Sequence, residues 1–134
     1  MRLLQLSVAF AQVSVLERDG ELCVVDLKWR GGNYRKSVIK NEEDLQLVMY
    51  SKLLTPDSTW AHTAYFILEK GEMIARNNQA FQNCVAVNPD CDHIEINERI
   101  WAKMEATLRW RLAQLKKGNI EIRGWTCNSL LGLA

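Results

Sequence analysis

The sequence predicts a single α/β domain, residues 1–134, with a mixed central β-sheet flanked by helices. Three observations predict it. Asp19-Gly20 stands between two runs rich in Val and Leu, a strong signal for a two-residue β-hairpin loop. Lys70-Gly71 marks a second turn between the β-rich run Thr63–Glu69 and a short run Glu72–Arg76. Apolar residues recur at helical spacing in two stretches, one closing near Leu54 and the other near Lys117. The order is therefore hairpin, helix, hairpin, helix, which suits a sheet with helices packed on it.

Taken in order, Leu6–Leu16 reads as the first strand, and Glu21–Trp29 as its return, with Leu22, Val24 and Val25 as the apolar body. The opening stretch Met1–Phe10 runs on into Ala11-Gln12-Val13 without a convincing cleavage site, so it reads as strand rather than leader and the chain as cytoplasmic. Arg30–Lys40, marked by Gly31-Gly32, reads as a loop. Asn41 suits a helix N-cap, with Glu42, Glu43 and Asp44 complementing the dipole of the first turn. That helix runs to about Leu54 on a stripe of Leu45, Val48, Met49 and Leu53, and Thr55-Pro56-Asp57 ends it. Asn77–Asp92 is polar and irregular. A long helix follows from about Glu95 to Lys117, with Ile96, Ile100, Trp101, Met104, Leu108, Leu112 and Leu115 as its stripe and Gly118 as a stop. Asn119–Arg123 reads as a last short strand.

Composition narrows the function classes. Apolar residues make up 48% and charged ones 25%, as in globular domains. A net charge of +1 points neither toward nor away from nucleic acid, so any such signal must lie in local clustering. No apolar run approaches the roughly 20 residues of a membrane helix. Cys23, Cys84, Cys91 and Cys127 form no CxxC pair and read as free, buried thiols rather than a zinc or iron–sulfur site. His62 and His93 look isolated; His93 stands near Asp90, Cys91 and Asp92 in no known ligand spacing, and a surface loop is the plainer reading. Trp60, Trp101, Trp110 and Trp125 read as packing residues, with Trp110 and Trp125 alternatively marking a partner surface. There is no Ser-His-Asp arrangement, P-loop or dinucleotide fingerprint.

The informative segment is Val24-Val25-Asp26-Leu27-Lys28. An acid and an amine two apart in an apolar strand share one face. A carboxylate there can hold a hard cation such as magnesium, and a neighbouring lysine can position a water or balance a phosphate. Downstream, Gln46 and Tyr50 are four apart and share a helical face, where their polar tips can reach a phosphate or a water.

Asp-x-Lys on an apolar strand followed by Gln-x-x-x-Tyr on a helix resembles the PD-(D/E)XK nucleases of the RecB and AddB type, over about Val8 to Leu68. The resemblance implies a restriction-endonuclease-like core, at least in part, and metal-dependent hydrolysis of DNA phosphodiesters in repair, recombination or defence. It implies Asp26 as the magnesium or manganese ligand, Lys28 as the catalytic lysine, and Gln46 and Tyr50 as the downstream motif. DNA, and a helicase or a complementary nuclease chain, are the implied partners.

One departure weakens that expectation. The family carries a further acid on the preceding strand. With Asp19-Gly20 as the loop, Arg18 pairs with Glu21, Glu17 with Leu22, Leu16 with Cys23, Val15 with Val24 and Ser14 with Val25, so Val13 faces Asp26. Opposed Cβ atoms lie roughly 4.5–5.5 Å apart. Valine ligates nothing there, and the diagonal Ala11 and Val15 do not either. A divalent ion is therefore expected to be weakly held, if held at all. A catalytically inactive DNA-binding or protein-interaction domain on the same fold is the alternative.

From Leu27 to Asn41 the chain carries Lys28, Arg30, Arg35, Lys36 and Lys40 with no acid, and interleaves Trp29 and Tyr34. Arg30, Tyr34, Arg35, Lys36 and Lys40 are the expected nucleic-acid contacts, since such a segment can meet phosphates and stack on a base. The plain alternatives are an ordinary ion pair at Asp26 and Lys28, ordinary helix surface at Gln46 and Tyr50, and a solvated turn for the basic segment.

Overall fold

The computed structural model describes residues 2–8, 11–57 and 59–119. Its sheet is mixed and runs β1 (Arg2–Val8), β2 (Ala11–Arg18), β3 (Glu21–Lys28), β4 (His62–Ile67), β5 (Glu72–Ala75) and β6 (Val85–Ala86), in that spatial order. β1, β2 and β3 are antiparallel neighbours, β3 and β4 run parallel, β4 and β5 antiparallel, and β5 and β6 parallel. The helices are α1 (Gly32–Lys40), α2 (Leu45–Leu54) and α3 (His93–Lys116). Among the described residues no helix is long and apolar enough to cross a membrane. The chain forms two compact units, Met1–Lys103 and Met104–Ala134; the first holds the sheet, α1, α2 and the start of α3.

The β2–β3 register is the one the Asp19-Gly20 loop dictates, from Arg18 opposite Glu21 to Val13 opposite Asp26. Both loop residues have positive φ, Asp19 at 54° and Gly20 at 82°, as a primed hairpin turn requires. Strand alternation then divides the core. Val13, Val24, Tyr65, Ile67 and Ile74 face α1 and α2, meeting Ile39, Leu47 and Tyr50. Val25, Ala64 and Ala75 face the other way and meet Phe81, with Ala80 and Cys84 beside it. Through Ile96 and Ile100 the start of α3 packs against Val48 and Trp60.

Several expectations change. The single strand expected at Leu6–Leu16 is two strands, β1 and β2, paired from Arg2↔Glu17 to Val8↔Ala11. The sequence between them carries neither glycine nor proline, so nothing marks a reversal. Arg30–Lys40 is mostly helix rather than loop. Gly31 caps α1 in the left-handed region at φ 96°, where a side chain is strained. The next residue, Gly32, lets the helix come close to the sheet: a Cβ there would lie 3.3 Å from Glu72 Oε2.

Asn41 is the C-cap of α1 rather than an N-cap. The chain leaves α1 through Glu42 at φ 57°, with Glu43 N–H bonded to Val38 C=O (2.9 Å) and Glu42 N–H to Ile39 C=O (3.1 Å), a Schellman arrangement without its usual glycine. α2 therefore starts three residues late, at Leu45, with Asp44 as N-cap. The Asp44 side chain does not cap; it is buried in an ion pair with Arg76. α3 begins at His93 instead of Glu95, and the irregular Asn77–Asp92 segment contains the two-residue β6. The strand expected at Asn119–Arg123 lies outside the described residues except for Asn119.

Candidate functional site

Asp26 and Lys28 leave the same face of β3, beneath the N-terminal half of α2. Asp26 is fully buried, and Lys28 keeps 22% of its side chain exposed. Lys28 Nζ sits 3.1 Å from Asp26 Oδ2 and donates to Gln46 Oε1 at 3.4 Å. Gln46 Nε2 in turn donates to the Tyr50 hydroxyl at 2.9 Å. The strand period and the helical i, i+4 spacing thus place the expected four side chains in one line, carboxylate to ammonium to amide to phenol.

The line is anchored from behind. Tyr50 packs between Leu47 and Tyr65 on one side and Val13, Val24 and Ala61 on the other. Burial pushes the Asp26 carboxyl up from its ordinary value, and the neighbouring Lys28 and Arg35 pull it back. Neither carboxylate oxygen has an aligned hydrogen-bond donor among the described residues, so the ion pair with Lys28 is its main compensation.

Two further residues belong here that the sequence did not single out for the site's interior. Tyr65 is the direct β4 neighbour of Asp26 and is 1% exposed. Burial pushes its hydroxyl up to about 12, so it stays a phenol at neutral pH. Arg35 was expected on the surface. Instead it is half-buried, with its guanidinium carbon 5.2 Å from the Tyr65 ring centre and 5.0 Å from that of Tyr34. Its Nε is buried with no hydrogen-bond partner. An arginine on the fourth residue of a helix reaches a site only when that helix lies on the sheet, and the segment had been read as loop.

The other expected contacts divide. Trp29 and Tyr34 stand out into solvent, at 68% and 64% exposure. Arg30 and Lys40 are exposed as well. Lys36 is engaged by Glu72, Nζ to Oε1 2.7 Å. Trp29, Arg30, Tyr34 and Lys36 gather at the carboxyl ends of the parallel strands β3 and β4, the edge where open α/β sheets ordinarily take ligands, whereas Lys40, the last residue of α1, lies apart from them beside Arg76 and Ile96.

A divalent ion fits these residues poorly. Asp26 is the only acid in the line; Val13, 5% exposed, occupies the opposed position; and β1 and the part of β2 before Glu17 contain no acid. Among the described residues no group of three or more His, Cys, Asp or Glu side chains is placed to hold a metal.

His62 and His93, which looked isolated, come together at the opposite end of β4. Their rings stack with centres 3.8 Å apart at 27°. The contact is long-range, between the first residue of a strand and the first of a helix, and leaves no trace in local spacing. Cys23, Cys84 and Cys91 are free and half-buried, in line with the thiol reading; Cys127 lies outside the described residues.

No protein-family model matches this chain, and no curated protein or solved structure does either.

Proposed function

We propose that this chain is a DNA-binding module of the RecB-like PD-(D/E)XK nuclease type, with a restriction-endonuclease-like core whose hydrolytic site lacks one acid. The observation that carries the reading is the continuous line Asp26–Lys28–Gln46–Tyr50, with contacts of 3.1, 3.4 and 2.9 Å. An ordinary surface ion pair has no reason to extend through an amide to a phenol eighteen and more residues downstream. In this reading Lys28 meets a backbone phosphate, Gln46 and Tyr50 hold the ammonium in place, and Trp29 and Tyr34 offer stacking faces to unpaired bases. Arg30 adds charge along the backbone path. A helicase or a complementary nuclease chain is the partner this reading calls for, in the cytoplasm.

Metal-dependent hydrolysis is the full activity of the type. Val13 opposite Asp26 favours binding with slow hydrolysis or none. The test is fluorescence anisotropy with labelled single- and double-stranded oligonucleotides, together with a cleavage assay in magnesium and in manganese. Binding that weakens steeply as salt rises is the expected result. Absence of binding at low salt would sink the reading. Slow cleavage that vanishes in both Asp26→Ala and Lys28→Ala would assign residual hydrolysis to this line, whereas cleavage indifferent to both would place it elsewhere.

A further inference from the structure

Resting on that reading, we infer that the site captures its phosphodiester without a divalent ion, the guanidinium of Arg35 supplying beside Asp26 the positive charge that a metal would bring. Three observations lead there. First, Lys28 Nζ lies 3.1 Å from Asp26 Oδ2 and the Arg35 guanidinium lies 5.2 Å from the ring centre of Tyr65, the strand neighbour of Asp26, so two cations stand about one buried carboxylate. The nearby acids are neutralised in pairs of their own, Asp44 with Arg76 and Glu72 with Lys36. A cation entering here approaches two cations, and the other acids nearby are already engaged by Arg76 and Lys36; an anion finds the reverse.

Second, access has the same polarity. Asp26 is completely buried, while Lys28 is 22% exposed and Gln46 is exposed, so a ligand from solvent meets the ammonium and the amide before the carboxylate. Third, Arg35 is pre-positioned yet not exhausted. Its guanidinium carbon lies 5.0 Å from the Tyr34 ring centre and 5.2 Å from that of Tyr65, to whose hydroxyl it is also hydrogen-bonded, and its Nε–H has no acceptor. An arginine fixed by aromatic faces with an unpaired N–H suits bidentate recognition of a phosphate. Valine at position 13 is then consistent with the rest of the site: with Arg35 in place, a second carboxylate is not needed to gather charge.

The test is binding of a fluorescein-labelled single-stranded oligonucleotide to the full chain, in EDTA and in magnesium. Equal affinity in the two buffers is expected, with Arg35→Gln and Lys28→Gln each weakening it at least about tenfold. Arg35→Lys keeps the charge but loses the fork and should fall between. Arg18→Gln, an exposed basic residue of the β2–β3 hairpin at the opposite end of β3, is the control and should bind as the parent does. Thermal melts of every variant separate lost binding from lost folding; should Arg35→Gln unfold, Arg35→Lys and the EDTA comparison still decide. Binding that appears only with magnesium overturns this inference and leaves the DNA-binding reading standing. Metal-free binding indifferent to both Arg35 variants overturns the role of Arg35. No binding in either buffer overturns the functional reading itself.

Discussion

Strand β4 handles ionisable side chains differently at its two ends. At its carboxyl end, Tyr65 and Ile67 neighbour Asp26 and Lys28 of β3, and charge is met by opposite charge: a carboxylate, an ammonium and a guanidinium share one neighbourhood. At its amino end, His62 is stacked on His93, like against like. Burial, with His93 beside it, pulls the His62 imidazole down from 6.5 to about 4, so His62 is neutral at ordinary pH. His93 Nε2 lies 3.0 Å from the Trp60 carbonyl, and Trp60 is held at φ 52° two residues before the strand begins. The lesson concerns ligands. A cluster of compensated charge can exchange one partner for a phosphate, whereas a stacked pair of rings between β4 and α3 has no such partner to exchange. In the proposed reading the polar end is the binding edge and the histidine end a structural clasp.

The contrast can be broken most forcefully at Lys28. Lys28→Met leaves the buried Asp26 without its nearest cation and should cost about 3 kcal/mol in urea denaturation. Asp26→Asn in the same background should recover much of that loss, because the orphaned charge goes with it. A Lys28→Met protein as stable as the parent would mean that the pair is not buried in solution.

The histidine end should answer to pH instead. Because the folded His62 is depressed, only the unfolded chain takes up its proton between pH 6.5 and about 4. The stabilisation from the neutral form is full above 6.5 and declines as pH falls toward 4, by at most about 1.4 kcal/mol per unit. Asp26 and Asp44 act in the opposite sense: their raised carboxyls are protonated first in the folded state, which relieves their burial cost in acid. The clean measurement is therefore the difference between the parent and His62→Phe across that range. A difference flat with pH would refute the depressed His62.

Smaller effects refine the picture. Tyr50→Phe removes the acceptor for Gln46 and should cost about 1 kcal/mol or less in a thermal melt. In a cycle with Gln46→Ala the two losses should not add, since one hydrogen bond connects them. The least change is expected for Lys36→Ala, which loses a partly exposed ion pair with Glu72 worth no more than about 0.5 kcal/mol.

Much of the candidate site was legible along the chain because its spacings are local. Asp26 and Lys28 share a face by strand period, Gln46 and Tyr50 by helical period, and the Asp19-Gly20 turn sets Val13 against Asp26 by counting outward. Other features gave weaker or misleading local signals. The break between β1 and β2 has no turn residue, and α1 is a short helix announced by two glycines and offering only Val38 and Ile39 as wholly buried apolar residues. The acidic run Glu42-Glu43-Asp44 resembles the first turn of a helix but serves three separate ends: Glu42 holds a left-handed C-terminus and bonds Arg99, and Asp44 is drawn inward by Arg76.

By itself the sequence determined the hairpin register, the convergence of period on one strand face and one helix face, and the absence of an acid opposite Asp26. Only the tertiary structure decided that β3 and β4 lie side by side and parallel, which brings Tyr65 against Asp26, and that α1 lies on the sheet, which turns Arg35 from a surface residue into part of the site. It also decided that two histidines thirty-one residues apart share a stack. The physical reason is range: dihedral periods and turn chemistry act within a few residues, whereas the neighbours of a buried charge are chosen by which hydrophobic faces cover one another.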